Sequence, residues 1–165
     1  MTGGVWRYDK EGVDETVYAF ADELLAFDPN PIPDPDTGKI LPKWESVNIR
    51  SGVGPATSED GKLVVIGIGA GSSRLYIIDP AAPKNVIVPN TEFEFGPGIS
   101  PPLLTRDRIF VITSYLGGSI MRSFDFSGTE VWKWDTSSFS PTGIFSMSSD
   151  GVLFVPGQKL IAIFP

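Results

Sequence analysis

The sequence predicts an all-β protein assembled from several small antiparallel sheets. Three observations carry that expectation. Among the 165 residues, Gly (18) and Pro (15) are frequent while charged residues make up only 20%, a composition that favours many short elements joined by turns. The apolar segments are short and rich in β-branched residues, as in Lys62-Leu-Val-Val-Ile-Gly-Ile68. One pattern of segments also recurs: an extended stretch, a polar turn containing Asp, then a strongly apolar run.

The recurrence is clearest in three places: Pro55–Gly67, Pro102–Thr113 and Phe145–Pro156. Asp60, Asp107 and Asp150 mark their turns, at intervals of 47 and 43 residues. Each apolar run leads to a second one: Arg74–Asp79, Ile120–Asp125 and Lys159–Phe164. A repeat of that length holds three or four strands, which is what a blade of a β-propeller requires. A blade is covered on both faces, so its strands read as continuous apolar runs rather than alternating ones. The approximate blades are residues 4–47, 52–95, 97–136 and 141–165, in a single domain.

The first unit is the faintest copy. In Thr16–Asp28, Val17, Phe20, Leu24 and Phe27 recur near helical spacing, with Asp14 as a cap. The repeat favours a hairpin instead, Val17–Ala21 turning at Asp22-Glu23 into Leu24–Asp28. Gly4-Val-Trp-Arg-Tyr-Asp9 aligns with Glu130-Val-Trp-Lys-Trp-Asp135, which makes it the last strand of a blade. The chain then begins with a fourth strand and ends without one. Two explanations remain open: the first strand completes the last blade and latches a ring, or the chain is a window cut from a longer propeller.

Asp125-Phe-Ser-Gly128-Thr-Glu-Val-Trp132 resembles the blade-closing motif of the pyrroloquinoline-quinone-like (PQQ-like) β-propeller repeat. That motif is an Asp, a turn with Thr or Ser before Gly, and a strand containing Trp. Asp36-Thr-Gly38-Lys-Ile-Leu-Pro-Lys-Trp44 matches less well, and Asp79–Val88 keeps only the Asp. The resemblance covers roughly residues 16–165. It implies that Asp36, Gly38, Trp44, Asp125, Gly128 and Trp132 are blade-docking residues, with the tryptophans seated between blades. On that reading Trp132→Ala costs about 3–5 kcal/mol. The resemblance also implies a periplasmic or extracellular setting. Met1–Tyr8, however, has neither the basic nor the apolar region of a signal peptide, which leaves a cytoplasmic protein, a mature form or a fragment.

Several function classes are disfavoured. The chain has no Cys and no His, which removes disulfides, thiolate nucleophiles, Cys or His zinc sites and imidazole-based triads. Its net charge of −7, with scattered basic residues, argues against nucleic acid and anionic membranes as partners. No apolar run approaches the ~20 residues of a membrane helix. Gly67–Asp79 imitates a dinucleotide fingerprint, but a second β-rich run starts at Leu75 and leaves no room for the helix such a site needs. It reads as a Gly-rich hairpin loop. Asp34 and Asp36 are spaced like the opening of a calcium loop with Glu45 at its twelfth position, yet Lys39 stands where Gly belongs and Pro42 lies within. The segment reads as a proline-stiffened surface loop, with Ca2+ binding as the alternative. Phe93, Phe95, Phe139, Phe145 and Trp134 read as packing residues.

No catalytic set is identifiable, because the acidic residues lie scattered in turns. The expected function is a non-catalytic scaffold or binding module with a protein partner. Open blade edges also invite self-association, two copies pairing edge to edge. The alternative is a fragment of a PQQ- and calcium-dependent quinoprotein dehydrogenase acting on alcohols or sugars.

Overall fold

Leu63, Val64, Val65 and Ile66 are four consecutive residues with no exposed surface. The pleat of a strand sends successive side chains to opposite faces, so such a run needs cover on both sides. Leu63 and Val65 pack with Tyr18, Leu24, Ala26, Ile49 and Ile78. Val64 and Ile66 pack with Leu75, Ile77, Ile109, Val111 and Phe124. One strand therefore joins two cores, and the architecture follows from that division.

The computed structural model describes residues 5–10, 13–20, 23–43, 49, 54–68, 72–82, 85–89, 92–94, 101–115, 118–136, 141 and 144–164. It is all-β, with strands and no helix among these residues. The first sheet contains β1 (Val5–Lys10), β2 (Val13–Phe20) and β3 (Leu24–Phe27). The second contains β4 (Ala56–Thr57), β5 (Leu63–Ile68), β6 (Ser72–Ile78) and β7 (Glu92–Glu94). The third contains β8 (Leu103–Leu104), β9 (Ile109–Tyr115), β10 (Gly118–Phe124) and β11 (Glu130–Asp135). The fourth contains β12 (Ser146–Met147), β13 (Leu153–Val155) and β14 (Ile161–Ile163). Each sheet is an antiparallel meander in which spatial order follows chain order.

Three buried clusters join the sheets in chain order. The first lies between sheets one and two, around Tyr18, Leu24 and Leu63. The second lies between sheets two and three, around Ile66, Ile77 and Phe124. The third joins Ile112 and Met121 of sheet three to Leu153 and Val155 of sheet four, with Phe145 beside them. The central strand β9 divides its residues as β5 does: Ile109 and Val111 turn to sheet two, Phe110 and Ile112 to sheet four. Burying each such side chain is worth about 1.5–3 kcal/mol.

The Thr16–Asp28 segment forms a hairpin, with Val17 opposite Phe27 and Phe20 opposite Leu24. Its helical spacing is overridden because Tyr18, Leu24 and Ala26 must lie on one sheet face against β5. The placement of the first strand requires a correction. β1 pairs with β2, Trp6 opposite Tyr18, and so occupies the first position of its own sheet rather than the last position of another. Beside β3, the Lys43 amide donates to the Ala26 carbonyl at 2.7 Å. The similarity to Glu130–Asp135 is one of composition, since any strand flanking a sheet favours Val, Trp and Tyr.

The Gly67–Asp79 segment is the β5–β6 hairpin, with Gly67 opposite Arg74 and Ile68 opposite Ser73. Gly67 makes room for an aromatic ring. A Cβ there would collide with Tyr76 Cε2 and stand 3.0 Å from Ile49 Cγ2.

Candidate functional site

The turns that announce each repeat are built from their own side chains. At Ser58 the hydroxyl donates to the Asp60 carboxylate and accepts from the Lys62 amide at 2.9 Å, while the Ser58 amide donates to the Lys62 carbonyl at 2.8 Å. Ser148 repeats the arrangement, with the Val152 amide at 3.1 Å from its hydroxyl and its own amide 2.9 Å from the Val152 carbonyl. Thr105 does the same one residue shorter, accepting from the Arg108 amide at 3.1 Å and donating to Asp107 at 3.3 Å. The hydroxyl two residues before each Asp is the working acceptor. The regular spacing of Ser58, Thr105 and Ser148 ahead of those acids was the signal for it in the sequence.

Asp125 and Gly128 form a second kind of turn, between β10 and β11. One carboxylate oxygen of Asp125 accepts from the Ser127 amide at 2.9 Å, the Ser127 hydroxyl at 2.6 Å and the Thr129 amide at 3.0 Å. Gly128 has φ +87°, a conformation that glycine adopts without strain. The loop at residues 34–39 repeats this turn with one residue more. There Asp34 plays the part of Asp125, accepting from the Asp36 amide at 3.1 Å, the Thr37 amide at 2.8 Å and the Thr37 hydroxyl at 2.8 Å. Gly38, at φ +66°, plays the part of Gly128. Asp36 is thus a central residue of the turn, and the acid equivalent to Asp125 is Asp34. Trp44 and Glu45 lie outside the described residues.

These bonds hold the Asp34, Asp60, Asp125 and Asp150 carboxyls below the usual carboxylate range. For Asp34 the Thr37 hydroxyl is the main cause, for Asp60 the Lys62 ammonium and then Ser58, for Asp125 the Ser127 hydroxyl, and for Asp150 the Ser148 hydroxyl. Each lowered value has a local structural cause within its own turn. Among the described residues no three acidic side chains converge on a position that would hold a metal ion.

The Asp125 turn also docks one sheet on the next. A Cβ on Gly128 would stand 3.2 Å from both Ile87 Cγ2 and Pro89 Cγ, so the turn of sheet three lies against the 85–89 segment of sheet two. Phe126 packs on the core between those sheets, and the Lys62 ammonium stands 5.5 Å from its ring centroid. Phe126, Lys62, Ile87 and Pro89 are docking residues that the motif alone does not single out.

Trp132 faces the opposite side of sheet three. It stands across from Ser123 on β10, whose other neighbour is Phe110 on β9. Trp132, Phe110, Met147, Gly151, Leu153, Ile163 and Phe164 enclose an open cleft of about 230 Å3 between sheets three and four. Trp132 is 37% exposed and Phe164 73% exposed, so two aromatic rings border the cleft at the surface. Trp134, one step along β11, packs with Met121 and Phe145 in the core beneath, and Phe145 is fully buried. Phe93 belongs to β7, while Phe95 and Phe139 lie outside the described residues.

The cleft can take up apolar groups by dispersion and ring contact. None of the side chains lining it is titratable. It does not fit a tricarboxylate quinone, whose charges would lose water here with no cation to replace it. No helix among the described residues is long and apolar enough to cross a membrane. No family model matches the chain, and no curated protein matches it either.

Proposed function

We propose that the chain is a non-catalytic β-propeller unit of the PQQ-like kind, a scaffold whose surfaces bind another polypeptide. The observation that carries the reading is the order of the stack. Four antiparallel meanders follow one another along the chain, and each packs face to face on the next through its own buried cluster. Radial repetition of such units is how a propeller is generated. The side chains that looked most like chemistry support the scaffold reading too. Asp34, Asp60 and Asp125 use their carboxylates on neighbouring turn groups. The cleft between sheets three and four is lined by aromatic and aliphatic side chains with no acid or base among them.

The discriminating experiment titrates the chain with pyrroloquinoline quinone and Ca2+ while recording quinone absorbance and the melting temperature. A scaffold leaves both unchanged. A specific, saturable rise in melting temperature would overturn the reading in favour of a quinoprotein.

A further inference from the structure

We propose that Val131 guards the outer edge of sheet three: as a bulged residue, it stops β11 from pairing with a strand of a second copy of the chain.

Among the described residues, β11 ends the four-stranded order of sheet three and β7 ends that of sheet two. A strand in that position carries a row of outward amides and carbonyls, a template for pairing with another chain. Both outer strands are interrupted. In sheet three, Ser123 stands opposite Trp132, while its neighbour Phe124 stands opposite Glu130. Val131 is left over, as a β-bulge. In sheet two, Arg74 pairs with Glu92 and Ile77 with Ile87. Three steps along β6 therefore match five along its outer neighbour. Pro89, which has no amide hydrogen, falls within those five. The inner pairs β5–β6 and β9–β10 keep one register throughout.

The inward side of β11 gives no reason for the extra residue. Without Val131, the pairs Ser123–Trp132 and Phe124–Glu130 would stand as consecutive rungs of a regular ladder. Trp132 would keep its place beside the cleft, and Glu130 its ion pair with Arg122. Val131 itself is 49% exposed and buries little.

The outward side does give a reason. On a regular antiparallel strand, groups of one kind recur every second residue, about 6.8 Å apart, and a partner must match that spacing. One extra residue breaks the match and increases the local twist. Charge acts in the same direction, since Glu130, Lys133 and Asp135 all lie on this six-residue strand.

The test deletes Val131 from the 165-residue chain, alone and together with Lys133→Thr. Val131→Thr, which keeps the extra residue, is the control. Sedimentation velocity and hydrogen exchange are recorded from micromolar to millimolar concentration. Slow exchange at residues 109–112 shows that a variant is folded. Deletion is expected to raise the average mass toward twice that of the intact chain, and to slow exchange at residues 130–135 about tenfold as concentration rises. Val131→Thr should change neither. Folded deletion variants that associate no more than the intact chain would overturn the proposal. So would protection that arises outside residues 130–135, or a control that associates as strongly as the deletions. Should deletion unfold the chain, the intact protein decides. Exchange at 130–135 that slows with concentration would reveal an edge already open to pairing and overturn the proposal. Exchange there that is independent of concentration supports a closed edge.

Discussion

Trp132 shows how a residue's place on its strand decides what it is worth. Its motif implies a ring sealed between blades, and a cost of about 3–5 kcal/mol on truncation. The indole is instead 37% exposed at the mouth of a cleft, so Trp132→Ala should cost about 1–2 kcal/mol in urea unfolding. A loss of about 3–5 kcal/mol would instead place the ring in the interior. The two turn glycines offer a cleaner comparison. Gly38 (φ +66°) and Gly128 (φ +87°) both adopt the left-handed conformation, which costs any other residue about 1–2 kcal/mol. A Cβ at Gly38 meets nothing within 4 Å, whereas at Gly128 it meets Ile87 and Pro89. Gly128→Ala should therefore destabilise the protein more than Gly38→Ala. Equal losses would mean that the turn does not press on sheet two. The sequence made both glycines visible through their turn residues. It could not separate them, because the contact with residues 87 and 89 joins positions about forty apart in the chain.

At the scale of the element, the turns β4–β5, β8–β9, β10–β11 and β12–β13 are each closed by a side chain that bonds backbone groups. Ser148→Ala removes the acceptor for the Val152 amide and should cost about 1 kcal/mol. Thr105→Ala should behave alike, because the Arg108 amide depends on it in the same way. The same turns predict an acid limit. The Asp34, Asp60, Asp125 and Asp150 carboxyls are all held below their ordinary value in the folded state. Their contribution is then complete above the unfolded-state value, ~3.9 for Asp, and is lost as pH falls through the lower folded values. The urea midpoint should decline steeply below about pH 4, and Asp125→Asn should reduce that dependence. A midpoint flat from pH 5 to 3 would contradict it. The elements were legible where periodicity and repeat agreed, as in β5 and β9. At Thr16–Asp28 local spacing favoured helix, and the hairpin became legible only through the other copies. At Val5–Asp9 the repeat misled. Resemblance to β11 came from residue types that suit any strand beside a sheet, while the pairing with β2 depends on distant contacts that composition does not encode.

For the whole molecule, the central sheets hold the stack together. Sheets two and three bury both faces, and their strands β5, β6 and β9 supply residues to adjacent cores. The continuous apolar runs made that legible in the sequence, since only a doubly covered strand needs Leu63 through Ile66 all apolar. The cleft was not legible. Its lining comes from five separate strands and the residues beside them, positions that periodicity within any one segment does not connect. Hydrogen–deuterium exchange resolved along the chain tests the stacking account most directly. Amides of residues 63–66, 75–78 and 109–112 should exchange slowest, and only through global unfolding, while those of 161–163 at the sheet edge exchange far sooner. Central amides that exchange as fast as the edge would contradict a stack of doubly covered sheets.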